Sequence, residues 1–142
     1  MSFFAGQTRE QLRAAYRDAW RKARERLPLQ PLEAQIADVV AVHPQYQDML
    51  EADVVAMSDR PSPDGVENPF LHMGLHLALR EQIGTDRPHG IAGVHRRLAA
   101  TLKGAHEAEH RMIEVLAAVL WHAQRSGQAP QDADYLEQLR RL

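Results

Sequence analysis

No segment of the 142-residue chain alternates apolar and polar side chains with the period of two that a half-buried strand requires. Apolar residues recur instead every three or four positions, in runs broken by proline, glycine and aspartate. A chain patterned this way folds into helices. The short breaks between runs predict an all-α, single-domain antiparallel helical bundle, with about four principal helices and short accessory ones. A chain of this length builds one core, so residues 1–142 are expected to form one helical domain. A terminal arm is expected at 1–8, a loop at 58–68 and a short C-terminal helix within 127–142.

The helix boundaries follow from local chemistry. Thr8 is expected to cap a first helix with Gln11 as its capping-box partner, and Leu27–Pro28 to end it near Arg26. Pro31 starts a second helix whose Leu32, Ile36, Val40 and His43 share a face until Pro44. Residues 45–57 are read as a further helical stretch. Pro61, Pro63 and Asp64–Gly65 mark the exposed loop. Asn68 and Pro69 make a good start for a third long helix, apolar on nearly every face and ending at Gly84. A pattern from Ile91 to Arg125 is interrupted at Gly93 and Gly104 and stopped by Ser126–Gly127; Gly104 is expected to split it. Asp132 is expected to cap the last helix, which carries Tyr135, Leu136, Leu139 and Leu142.

Composition removes several chemistries. The absence of cysteine excludes disulfides, thiolate nucleophiles, iron–sulfur clusters and cysteine-type zinc sites, so any metal must be held by His, Asp or Glu. No apolar run is long enough to span a bilayer and the first ten residues lack a signal-peptide plan, from which a cytoplasmic protein is expected. A net charge of −2 argues against a dedicated nucleic-acid binder. The charge is unevenly placed: residues 1–26 hold seven Lys or Arg against three Asp or Glu. On a helical wheel Arg9, Arg13, Arg17, Arg21 and Arg24 form one stripe beside Leu12, Tyr16, Ala19 and Ala23. The stripe reads as a solvated face whose stems cover apolar neighbours, with RNA or an acidic partner as the functional alternative. No hydroxyl sits in a nucleophile elbow and no glycine-rich loop cradles phosphate.

The eight histidines pose the chemical question. His72 and His76 are four apart, about 40° round a helix, in the direction of Leu79 and Ile83. Both imidazoles are therefore expected to point inward. His106 and His110 repeat the spacing, with Glu107, Glu109 and Glu114 nearby. Glu109 falls near the centre of the stripe made by Leu98, Leu102, Met112, Ile113, Leu116 and Leu120. A carboxylate there costs several kcal/mol unless it is paired, protonated or bound to a cation. Two helices presenting ligands one turn apart can close four positions round one ion when they pack face to face. The candidate metal ligands are accordingly His72, His76, His106, Glu109 and His110. Imidazole with carboxylate suits zinc, iron, manganese, nickel or copper better than calcium or magnesium. The competing reading is a buried His–Glu hydrogen-bond network without metal. His43, at a helix end before Pro44, is read as a histidine satisfied at a helix C-terminus. His89, His95 and His122 are read as structural, and Trp20 and Trp121 as core-edge aromatics.

The segments PLEAQIADVVAVHPQY (31–46), ENPFLHMGLHLALREQ (67–82), HEAEHRMIEVL (106–116) and LWHAQRSGQAPQDADYLEQLRRL (120–142) resemble a small bacterial family catalogued as domain of unknown function 1841. The resemblance implies a single bacterial, cytosolic domain and brings no activity, substrate or cofactor with it. Its motif residues here are His43, Pro44, Tyr46, Asn68, Pro69, His72, His76, His106, Glu109 and His110.

The leading functional expectation is a helical-bundle protein binding one or two transition-metal ions through His72, His76, His106, Glu109 and His110, in a structural, sensory or catalytic role. A catalytic version would use Glu109, Glu107 or Glu114 as base. The alternative is a metal-free interaction module. It would engage a protein partner or a second copy through the basic N-terminal helix or the apolar C-terminal one, with no membrane involved. An exposed patch at Leu136, Leu139 and Leu142 would favour that alternative.

Overall fold

The computed structural model describes residues 8–51 and 69–142. Among them are seven helices and no strand: α1 (Arg9–Arg24), α2 (Pro31–Ala41), α3 (Pro44–Glu51), α4 (Pro69–Thr85), α5 (Ile91–Thr101), α6 (Ala105–Ser126) and α7 (Asp132–Arg140). No described helix is long and apolar enough to cross a membrane. The expected loop at 58–68, the Asn68 cap and residues 52–57 of the expected third segment lie outside the described residues.

The chemistry of the ends explains the boundaries. Thr8 Oγ1 accepts from the Gln11 amide while Gln11 Oε1 accepts from the Thr8 amide, the reciprocal pair that satisfies two otherwise orphaned donors. α1 stops because Arg26 turns left-handed, at φ 58°, and the Leu27 amide donates back to the Lys22 carbonyl. The same device ends α4 one residue beyond the expected Gly84: Asp86 takes φ 51° and the Arg87 amide donates to Gln82. Gly104, at φ 114°, splits α5 from α6, and Gly127 closes α6 in the left-handed region, both as the sequence predicts. Gly93 does not interrupt α5, and Gln131, not Asp132, occupies the cap position of α7; Asp132 is its first helical residue.

The chain divides into two compact units, Met1–Leu77 and Ala78–Leu142, with the boundary inside α4. In the first, α1, α2 and α3 pack on one another. Its core is Tyr16 and Ala19 of α1, Ile36, Val39 and Val40 of α2, Leu50 of α3, and Met73 and Leu77 of α4. Trp20 sits at the edge of this core, its indole N–H donating to Glu51, as expected of a core-edge aromatic. The basic face of α1 is less solvated than the stripe predicts. Arg13 is only 6% exposed, its guanidinium 5.6 Å from the centre of the Phe70 ring, because an arginine stem beside an aromatic buries more apolar surface than it leaves wet. Arg21 and Arg24 pair with Glu25 and Glu51, and Lys22 with Glu33.

In the second unit, α7 packs on α5 and α6. Its Tyr135, Leu136 and Leu139 are buried, so the apolar face that the interaction-module reading needed at the surface is spent inside. The Tyr135 hydroxyl donates to Gln82 Oε1 at 2.7 Å, tying the end of α4 to α7. Asp86 Oδ1 accepts from the Gly90 and Ala92 amides and so caps α5 from the loop before it. Leu102, Leu120 and Trp121 depart from expectation. All three are exposed, Trp121 at 60%, and Trp121 lies beneath the Arg125 guanidinium at 4.7 Å.

Candidate metal centre

His72 and His76 follow the α4 periodicity that brings Met73 and Leu77 into the core, and their Nε2 atoms lie 3.1 Å apart. The rings meet edge to face with centroids at 4.7 Å. A third imidazole arrives from the α2–α3 junction. His43 packs edge-on against His72 at 5.1 Å and His76 at 4.6 Å, and one ring nitrogen from each of the three lies within 4.8 Å of the others. His43 and His76 are fully buried, and His72 is partly exposed.

The surroundings orient these rings. His43 Nδ1 lies 2.7 Å from the Val39 carbonyl, which accepts its proton and leaves the lone pair on Nε2. This is the satisfied helix-end histidine expected from the sequence, and it is also the arrangement by which ligating histidines are held, one nitrogen on a carbonyl and the other toward the ion. Tyr46 stacks on the His43 ring at 5.3 Å and 14° and reaches the edge of His72 at 6.1 Å. Burial pushes the Tyr16 hydroxyl, one core neighbour away on α1, well above the ordinary phenol range, so it stays protonated.

A metal–imidazole bond of 2.0–2.1 Å sets ligand nitrogens about 3.3 Å apart on a tetrahedral ion and about 2.9 Å apart at adjacent octahedral positions. The 3.1 Å between His72 and His76 lies between these values. The donor set is chemically apt for a late first-row metal, with a His43 ring nitrogen within 4.8 Å of the pair. The same 3.1 Å also serves a hydrogen bond in which one imidazole donates to the other.

The second histidine pair lies in the other unit, in the first two turns of α6, with ring centroids of His106 and His110 4.2 Å apart. His106 and Glu109 each bring a ligand atom within 4.8 Å of the other. Glu109 is buried in its apolar stripe and has the partner that its position demands: Arg80 Nε donates to Oε1 at 2.7 Å and Arg80 Nη2 to Oε2 at 3.3 Å. Sequence reasoning missed Arg80. The available signal was a lone cation on an apolar helix, four residues beyond His76. It also passed over the spelling of His106-Glu107-Ala108-Glu109-His110, which satisfies the H-E-x-x-H pattern of helical zinc sites. Glu107 and Glu114, the other candidate bases, are exposed.

The remaining histidines stand apart from these groups, and His89 has a carboxylate partner that the sequence reading did not give it. His95 approaches the Ala105 carbonyl at 3.3 Å, His89 is an almost fully exposed partner of Asp86, and His122 is exposed.

Helices alone, with imidazoles gathered in each unit, define this as a small all-helical, histidine-rich protein. A family profile described as Domain of unknown function (DUF1841) matches residues 8–141, and the chain belongs to that family. No curated protein and no solved structure matches the sequence.

Proposed function

We propose that this protein binds transition metal through His72 and His76 of the first unit, with His43 as an additional ligand, and through His106, Glu109 and His110 of the second. The observation that carries this reading is the cluster of His43, His72 and His76, two of them wholly buried, with ligand nitrogens within 4.8 Å of one another. Two imidazoles in an apolar interior, with a third at its edge, are costly to desolvate, and a shared ion compensates each of them at once. The oriented Nδ1 of His43 supports the same reading, because a ring nitrogen held on a backbone carbonyl is how ligating histidines are fixed in tautomer and direction. Zinc, iron, manganese, nickel and copper all suit this ligand chemistry.

The test is elemental analysis of untagged protein beside His72→Ala and His106→Ala, with folding checked by circular dichroism. Near-stoichiometric metal in the parent and its loss in His72→Ala support the reading; retention or loss in His106→Ala then counts the ions. A parent that takes up no zinc, iron, manganese, nickel or copper after reconstitution overturns it. The imidazoles are then a hydrogen-bonded network.

A further inference from the structure

Resting on the metal reading above, we propose that Arg80 is the resident counter-cation of Glu109 and that a metal ion binding at His106 and Glu109 displaces it. Arg80 is thus a built-in competitor that sets the affinity of this site.

The ion pair is asymmetric. The Glu109 side chain is 6% exposed and locked in α6 between two histidines one turn apart, whereas the Arg80 side chain is 30% exposed. The carboxylate therefore has no route to water and must keep a cationic partner, while the arginine has one: its long stem can swing the guanidinium to the surface. Both carboxylate oxygens are engaged by the arginine fork, at 2.7 and 3.3 Å, and the histidine ligand atom of His106 stands within 4.8 Å of the carboxylate. An ion held by His106 and Glu109 would thus lie close to the guanidinium. Two cations sharing one buried carboxylate repel each other in a medium that screens them poorly. One must leave, and Arg80 is the one that can be solvated. Without metal, the same arginine spares the protein an uncompensated buried charge.

This arrangement predicts a coupling that a purely structural salt bridge would not produce. Arg80→Gln removes the competitor and should tighten zinc binding at this site by about tenfold, within the usual range of coupling between two sites. Arg80→Lys keeps the charge, loses the fork and should fall between the two. Glu109→Gln should weaken zinc binding and erase the effect of Arg80→Gln in the double variant.

The experiment is a zinc titration against a chromophoric chelator, with the full chain and these four variants, alongside thermal melts with and without zinc. Tighter binding in Arg80→Gln that vanishes in Arg80→Gln/Glu109→Gln supports the proposal. So does an Arg80→Gln protein that melts early without zinc and recovers with it. Parent protein that binds zinc, with Arg80→Gln and Arg80→Lys binding equally or more weakly, overturns this proposal alone and makes Arg80 a residue that orients Glu109. Parent protein that binds no zinc, iron, manganese, nickel or copper overturns it together with the metal reading.

Discussion

At the scale of single residues, the interior is notable for polar side chains that are satisfied by specific partners. Glu109 has Arg80, His43 has the Val39 carbonyl, and Gln82 has Tyr135. The partners of Glu109 and Gln82 lie far along the chain, so those two pairings are statements about tertiary structure, whereas that of His43 is local to the end of α2. Burial raises the Tyr135 hydroxyl above the ordinary phenol range, so it stays a donor to Gln82. Tyr135→Phe should cost about 1 to 3 kcal/mol, because it strands a buried amide oxygen as well as deleting a bond. Urea unfolding at neutral pH checks this, and an unchanged midpoint would show that Gln82 finds another donor. Periodicity placed His72, His76 and Glu109 inward, since inward direction depends only on spacing along one helix. It could not identify Arg80 or bring in His43, which depend on what another segment places opposite.

At the scale of elements, the ends carry more information than the middles. α1 ends on a left-handed arginine, a conformation that costs an L-residue roughly 1 to 2 kcal/mol and costs glycine little. Arg26→Gly should therefore stabilise the protein, by about 0.5 to 1 kcal/mol after glycine's greater backbone freedom is counted. A higher thermal midpoint checks it. Asp86 is a different case, because its left-handed turn also delivers a carboxylate to the start of α5. The Ala92 and Gly90 amides, followed by His89, hold that carboxyl below the usual carboxylate range. A depressed folded pKa contributes stability above the unfolded value of about 3.9, and the contribution is lost as pH falls through the folded value. Asp86→Ala should accordingly melt earlier than the parent at pH 7, with the gap closing below about pH 4. A gap that persists at pH 3 would assign the loss to the backbone turn instead.

At the scale of the whole molecule, the expected metal linkage is thermodynamic. An ion that binds only the folded chain, present at about a hundred times its Kd, adds about 2.7 kcal/mol. For a chain of this size that is about 8 °C in Tm, reversible by chelator and diminished on acidification, because protons and metal compete for the same imidazole nitrogens. Differential scanning calorimetry with and without zinc, at pH 7.5 and pH 5, measures it, and a Tm indifferent to zinc at both would count against the linkage. By itself the sequence determined the helical class, most helix ends, the cysteine-free ligand chemistry and the inward direction of the paired histidines. These follow from spacing, capping and composition, which act over a few residues. Tertiary structure decided what each inward group meets: His43 against His72 and His76, Arg80 on Glu109, Arg13 beside Phe70, and Leu136 and Leu139 inside rather than at the surface. Such pairings join segments tens of residues apart, and the choice among many apolar and charged faces is made by packing the whole chain, which no local pattern encodes.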